Sequence, residues 1–251
     1  MRVRLTIEYD GTGYSGWQLQ SGQDTIQARI EAALEKLFGQ KVRIHGAGRT
    51  DAGVHALGQV AAFDAPRHFD PIDLRRALNA ILPPDIAVRE AIEAASGFDP
   101  RRDAYLRAYQ YRILNRELRS VFDHRYAWHV RDALELDEMR TSARRFLGEH
   151  DFAAFRTLGT ETKSTVRRIY VSQWEQRGDL LRYRVEGSSF LRHMVRVMVA
   201  AMVEIGRKRM SVAALDALLS AGDRAAAPAA APAGGLFLVE VRYPPQAARG
   251  R

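Results

Sequence analysis

Val3, Leu5, Ile7 and Tyr9 alternate with Arg2, Arg4, Thr6 and Glu8, the period-two pattern of a strand with one buried face. Asp10-Gly11-Thr12-Gly13 ends the alternation with turn residues. Ile26, Ile30, Ala33, Leu34 and Leu37 then recur at helical spacing, with Asp24 and Gln27 placed as a capping box and Gly39 as a C-cap. Lys41 to His45 and His55 to Asp64 read as strands joined by a glycine-rich loop. Pro71 to Ile81 reads as a helix stopped by Pro83-Pro84, and Ile86 to Ile92 as a further strand. The order is βαββαβ, the ferredoxin-like arrangement, and one compact unit closes near Gly97.

The second half predicts a strand at Tyr105 to Leu114, a short one at Tyr126 to Val130, and a helix at Asp137 to Leu147 that turns Met139, Ala143, Phe146 and Leu147 inward. Strands at Arg168 to Trp174 and Leu180 to Glu186 come next, then a long helix from Phe190 to Ile205 and a shorter one at Val212 to Leu219. A strand at Leu236 to Tyr243 closes the chain. With additions this is βαββαβ again, a duplication of element order without a residue-by-residue repeat. The expected class is α+β, with an N-terminal domain at 1–103 and a C-terminal domain at 104–251. Ala225 to Gly235 reads as a loop, because Pro228 and Pro232 interrupt its alanines, and Pro244 to Arg251 as a loose tail.

Composition places the chain among folded proteins: of 251 residues, 46% are hydrophobic and 27% charged, against bulk disorder. Lysine and arginine total 38 against 30 acidic residues, a formal charge of +8. That surplus suits a polyanionic partner and equally serves solubility. The absence of cysteine excludes disulfides, thiolate metal sites and cysteine nucleophiles. The longest uninterrupted apolar run, Val197 to Val203, falls far short of the ~20 residues that span a bilayer. The strand-like start lacks the apolar block of a signal peptide, so the expectation is a cytoplasmic protein with no membrane partner.

Four stretches carry candidate chemistry. Gly11-Thr12-Gly13-Tyr14-Ser15-Gly16 fits the dinucleotide pattern, but the helix after it opens too late to aim at a pyrophosphate, which favours a structural glycine loop. In His45 to His55, one carboxylate, Asp51, stands among three glycines, Arg49 and the two histidines. Such loops between strands often hold catalytic groups. A hairpin in which Asp51 and Gly53 serve turn geometry accounts for it too. A metal site of His45, Asp51 and His55 is a third reading, without the spacing of recognised zinc motifs. Residues 101–119 interleave six arginines with Tyr105, Tyr109 and Tyr111, and alternation puts the tyrosines on one face with Arg107. That face is an RNA surface of stacking rings and phosphate-binding arginines or an ordinary core face. Arg192 and Arg196 lie one turn apart around His193, which reads either as a solvated basic face or, with Arg196 at the edge of an apolar stripe, as an arginine held partly buried to pair with a carboxylate.

These blocks together resemble the tRNA pseudouridine synthase A family. They run from Tyr9-Asp10-Gly11, Tyr14 and Gly16-Trp17-Gln18 through Thr25-Ile26-Gln27 to Gly48-Arg49-Thr50-Asp51-Ala52-Gly53-Val54-His55-Ala56, the most specific of them. Phe98, Arg101, Ala104, Arg107, Tyr109, Tyr111 and Ile113 follow, then Asp151-Phe152, Phe155-Arg156, Phe190 and His193-Met194-Val195-Arg196. Ala231-Pro232-Ala233, Gly235-Leu236, Leu238, Val241 and Tyr243 close the match. The chain departs from the family at Ser164-Thr165-Val166-Arg167, where Ser-Pro-Val-Arg is common, and at Arg102-Asp103, a variable stretch.

The resemblance implies an isomerase that converts uridine to pseudouridine at positions 38 to 40 of the tRNA anticodon arm, with no cofactor and no metal. It implies two βαββαβ halves whose sheets join around a basic cleft, and a homodimer. It casts Asp51 as the nucleophile, Tyr109 as the ring that stacks on uracil and assists loss of the C5 proton, and Arg196 as the partner that keeps the aspartate charged. Arg49 and Arg107 would hold the extruded backbone, with His55 beside them as a substrate-binding residue. Two rivals remain at this point: a noncatalytic RNA-binding protein of RRM-like element order, although no RNP1 pattern occurs, and a metal-dependent nuclease centred on Asp51.

Overall fold

The structure is a computed structural model, and it describes residues 1–157 and 162–245. Residues 246–251 of the expected tail lie outside the described residues. The described residues divide into two compact units, one of residues 1–107 together with those from Phe237 on, and the other of those between Ala108 and Leu236. The last strand therefore belongs with the first unit, where a contiguous division at 103/104 places it in the second.

In the first unit β1 (Arg2–Tyr9) buries Val3, Leu5, Ile7 and Tyr9, as its alternation predicts. Helix α1 (Ile26–Phe38) starts one residue later than the predicted capping box, because Thr25 rather than Asp24 is the N-cap. The Thr25 hydroxyl accepts from the Ala28 amide, while Asp24 pairs with Arg29. Gly39 closes the helix in the left-handed conformation at φ 72°. Helix α2 (Pro71–Ile81) has the predicted bounds, with the Asp70 carboxylate capping Ile72 and Asp73.

The strand predicted at 41–45 is reduced to β2 (His45–Gly46). Val42 and Ile44 are buried as the alternation requires, but Ile44 is bonded by side chains of α1 instead of a neighbouring strand. Its amide donates to Glu31 Oε1 at 3.1 Å and its carbonyl accepts from Gln27 Nε2 at 3.2 Å. Gln27, 3% exposed, also accepts from the Leu19 amide at 3.0 Å, so one side chain on α1 fastens two loops.

Strand β3 (His55–Asp64) pairs antiparallel with β1, and β1 pairs antiparallel with β4 (Ile86–Glu93). The other edge of β3 is shared. Its far end pairs with β2 at Ala61 and Ala62, and its first residues, His55 and Ala56, pair parallel with Phe237 and Leu238 of the closing strand β10 (Leu236–Arg242). A two-residue β2 leaves that second stretch of edge open to β10.

In the second unit the strand order is β5 (Leu106–Asn115), β9 (Leu180–Gly187), β8 (Val166–Arg177) and β7 (Gly148–Asp151), with β6 (Trp128–Val130) parallel to β5. β7 has no apolar alternation to announce it, and its polar Gly-Glu-His-Asp sequence suits an edge strand. Helix α3 (Leu136–Arg144) stops short of Leu147, because residues 145–147 bond three residues back and Gly148 then takes φ 96°. Helix α4 (Met194–Gly206) is buried almost all round, and α5 (Val212–Ala221) follows it. α4 begins four residues later than its apolar run predicts, since His193 adopts φ 64° and cannot continue a helix.

Replacing Gln27 by leucine leaves the Ile44 carbonyl and Leu19 amide without partners. Urea unfolding is expected to show a loss of about 2–4 kcal/mol, and a loss below about 0.5 kcal/mol would contradict this role for Gln27.

Candidate active site

Between β2 and β3 the chain spans 47–54 without regular structure, yet backbone and side-chain bonds hold it at nearly every residue. The Ala47 amide donates to the Val60 carbonyl at 2.7 Å, and the Gly48 carbonyl accepts from Gln59 Nε2 at 2.9 Å. The Thr50 carbonyl accepts from the Trp17 amide at 3.0 Å, and its hydroxyl lies 2.8 Å from the Tyr9 hydroxyl. The Gly53 amide donates to the Tyr14 carbonyl at 3.3 Å, and Val54 closes a tight turn by donating to the Asp51 carbonyl at 3.1 Å.

The segment that receives these bonds needs its glycines. A Cβ on Gly11 would lie 2.0 Å from the Val54 carbonyl oxygen. One on Gly16, which sits at φ 91°, would lie 2.5 Å from that of Thr50. The glycine run thus lets two backbones approach, as a structural loop does. Gly46 plays the same part toward the Trp17 ring, where a Cβ would come within 2.7 Å. Trp17 is buried, so it packs the underside of the loop.

Asp51, the candidate nucleophile, is half-buried at the outer end of this framework, between buried Thr50 and exposed Ala52. Arg49 is exposed. Arg107 binds three backbone carbonyls, those of Ala104 (2.8 Å), Arg101 (2.6 Å) and Ala47 (3.4 Å), and so ties the 101–104 turn to the first residue of the loop. His55 is 1% exposed and stacks on Phe237 with ring centroids 4.7 Å apart. Its Nδ1 accepts from the Gly11 amide at 3.0 Å and lies 3.0 Å from Asp10 Oδ1. His45 is exposed on β2, and among the described residues no group of three His, Asp or Glu side chains is arranged to hold a metal ion.

Tyr109 and Arg196 stand in the second unit. The half-buried Tyr109 ring meets Phe190 edge-on at 5.0 Å. Arg196, half-buried in the first turn of α4, donates from Nε to the Ala231 carbonyl at 2.7 Å. His193, just before α4, bonds the Thr157 hydroxyl through Nδ1 at 2.8 Å. The three tyrosines of the arginine-rich stretch part ways: Tyr105 is 50% exposed, Tyr109 half-buried, and Tyr111 fully buried. Burial pushes the Tyr111 phenol well above its ordinary pKa, with the nearby Arg196 charge opposing. Tyr111 therefore serves the core side of the two readings.

Sequence reasoning missed Gln59 and Thr157. Gln59 carried a signal, a lone amide in an otherwise apolar strand that had to find a buried partner. Thr157 carried none.

A family model described as tRNA pseudouridine synthase matches residues 5–101 and 142–244. The tRNA pseudouridine synthase A of Geotalea uraniireducens (strain Rf4) is 46% identical over 242 residues, covering 96% of this chain and 99% of that protein. That of Geotalea daltonii is 45% identical over 241 residues, with 96% and 99% covered. The Myxococcus xanthus protein of the same name is 44% identical over 243 residues, with 96% and 92% covered. Among solved structures, a chain of a Cbf5-Nop10-Gar1 complex aligns with 80% of this chain and 54% of its own at TM-score 0.32 and 13% identity. The chain belongs to the tRNA pseudouridine synthase family. It is accordingly an isomerase that forms pseudouridine in tRNA. No helix among the described residues is long and apolar enough to cross a membrane.

Gly11→Ala is expected to lower the urea midpoint and to cut activity more than tenfold under conditions where the variant stays folded, because its methyl displaces the end of the Asp51 loop. Wild-type activity in a folded Gly11→Ala variant would show that the loop tolerates displacement.

Proposed function

We propose that this enzyme isomerises uridines of the anticodon arm, at positions 38 to 40, with Asp51 as nucleophile. The observation that carries the proposal is the setting of Asp51: a half-buried carboxylate in a loop whose neighbours on both sides are bonded to the body of the first unit. A carboxylate held this way meets a flipped-out nucleotide without first having to be ordered. The specific match of 48–56 to the family pattern supports the same role.

In the reaction Asp51 forms a transient covalent adduct with the nucleotide, the C1′–N1 bond breaks, the uracil turns, C1′ bonds to C5, and the bond to Asp51 breaks to return its carboxylate. The C5 proton leaves and N1 gains one, so the product is an isomer and nothing is oxidised or reduced. Tyr109 stacks on the uracil and assists loss of the C5 proton, and Arg196 supplies the positive charge that favours the ionised nucleophile. Arg49, exposed beside Asp51, contacts the backbone of the extruded nucleotide. Arg107, bonded to the Ala47 carbonyl, and His55, bonded to the Gly11 amide, act by steadying those segments, in place of the direct substrate contact that the resemblance implies. The working form is a homodimer, a reading supported by Leu118, Val121 and Phe122, three exposed apolar side chains in one loop.

The test uses unmodified tRNA transcripts bearing tritium at uracil C5, with tritium release and primer-extension mapping as readouts. Wild type is expected to release tritium and place pseudouridine in the anticodon arm, whereas Asp51→Asn binds the transcript and releases none. Release by Asp51→Asn at more than a hundredth of the wild-type rate would remove Asp51 as nucleophile, and modification confined to another arm would remove the site assignment.

A further inference from the structure

The alanine-rich segment before β10 holds the base of Arg196. The Arg196 Nε donates to the Ala231 carbonyl at 2.7 Å, and the Ala231 amide donates back to the Arg196 carbonyl at 3.1 Å. The two residues thus form a closed ring of side chain and backbone. Ala231 is 2% exposed, so this exchange is sheltered from water. The next residue, Pro232, offers its carbonyl to the Tyr111 hydroxyl at 2.7 Å. Tyr111 sits fully buried on β5. Three residues on, Gly235 lies flat against the same ring, where a Cβ would come within 2.6 Å of Tyr111 Cζ and 2.9 Å of the Arg112 carbonyl oxygen. Strand β5, through one phenol, therefore fixes a segment that has no helix or strand of its own between Ala225 and Pro232.

We infer that Tyr111 is a positioning residue for the isomerisation, acting through the Pro232 carbonyl and Ala231 to aim the Arg196 guanidinium. The inference rests on the role proposed above for Arg196. The guanidinium is a planar fork, so a bond at Nε restricts the plane and direction of both terminal nitrogens. An arginine on a helix otherwise explores several rotamers, and the bond to Ala231 removes that freedom before substrate arrives. Tyr111 keeps its proton under working conditions, because burial raises its pKa. It therefore stays a hydrogen-bond donor at neutral pH, well below the ordinary phenol pKa.

The test is a double-mutant cycle on kcat in single-turnover and steady-state assays with an anticodon-arm transcript, using Tyr111→Phe, Arg196→Gln and both together. Tyr111→Phe is expected to lower kcat roughly tenfold with KM for the transcript within about twofold of wild type. In the Arg196→Gln background the same change has little further effect, so the pair is strongly non-additive. Gly235→Ala, which drives a methyl into the Tyr111 ring, lowers kcat in the same Arg196-dependent way. Multiplying effects of Tyr111→Phe and Arg196→Gln, or an unchanged kcat in Tyr111→Phe, would overturn the inference and leave Tyr111 a purely structural residue. Full activity in Arg196→Gln would instead overturn the role proposed for Arg196, and the inference with it.

Discussion

The Thr50 carbonyl accepting the Trp17 amide is the bond on which the candidate site depends. It fixes the residue immediately before Asp51 to the segment leading into α1, and it forms only because Gly16 takes φ 91° with no side chain to collide. The same segment receives Gly53 through Tyr14 and approaches Val54 at Gly11, so the loop is pinned on both sides of Asp51. Two neighbouring strands alone do not give this rigidity, because 47–54 is not itself paired in the sheet. The fold meets the requirement with backbone contacts between two irregular segments, which conformational entropy opposes unless glycine removes the steric barrier.

The second unit solves a similar problem differently. Arg196 lies in the first turn of α4, a helix whose start is set by His193 in the left-handed region. That backbone conformation is costly for a residue with a Cβ, and the bond between His193 and Thr157 helps hold it. The helix itself is anchored by near-complete burial from Met194 to Gly206. Both units therefore combine a well-packed regular element with a short irregular segment beside a candidate site residue, a division suited to an enzyme that must position groups within fractions of an ångström.

Most of the regular elements were legible in the sequence because one face of each is apolar: β1, β3, α2 and β10 stand within a residue or so of where periodicity puts them. The departures have local causes. Polar β7 lacked a hydrophobic face, β2 lost its strand pairing to Gln27 and Glu31, and α4 was shortened by a single backbone angle at His193. Asp51 was legible as a candidate because it is a lone carboxylate in a glycine-rich inter-strand loop. The supports of the site were not, since the hydrogen bonds that link Trp17, Tyr14 and Gln59 to the loop join residues distant in sequence and leave no periodic trace. The Ala225 to Gly235 stretch shows the limit best, for its composition reads as featureless while its bonds to Arg196 and Tyr111 are specific.

The central claim is that the Asp51 loop is rigid before tRNA binds. Native-state amide hydrogen exchange on the free enzyme tests it most directly, read at Trp17, Gly53 and Val54, whose amides make the pinning bonds. The account predicts protection close to that of the core strands β1 and β3, with opening only in near-global unfolding. Exchange of these three amides at rates typical of an open loop, while β1 and β3 stay protected, would contradict it.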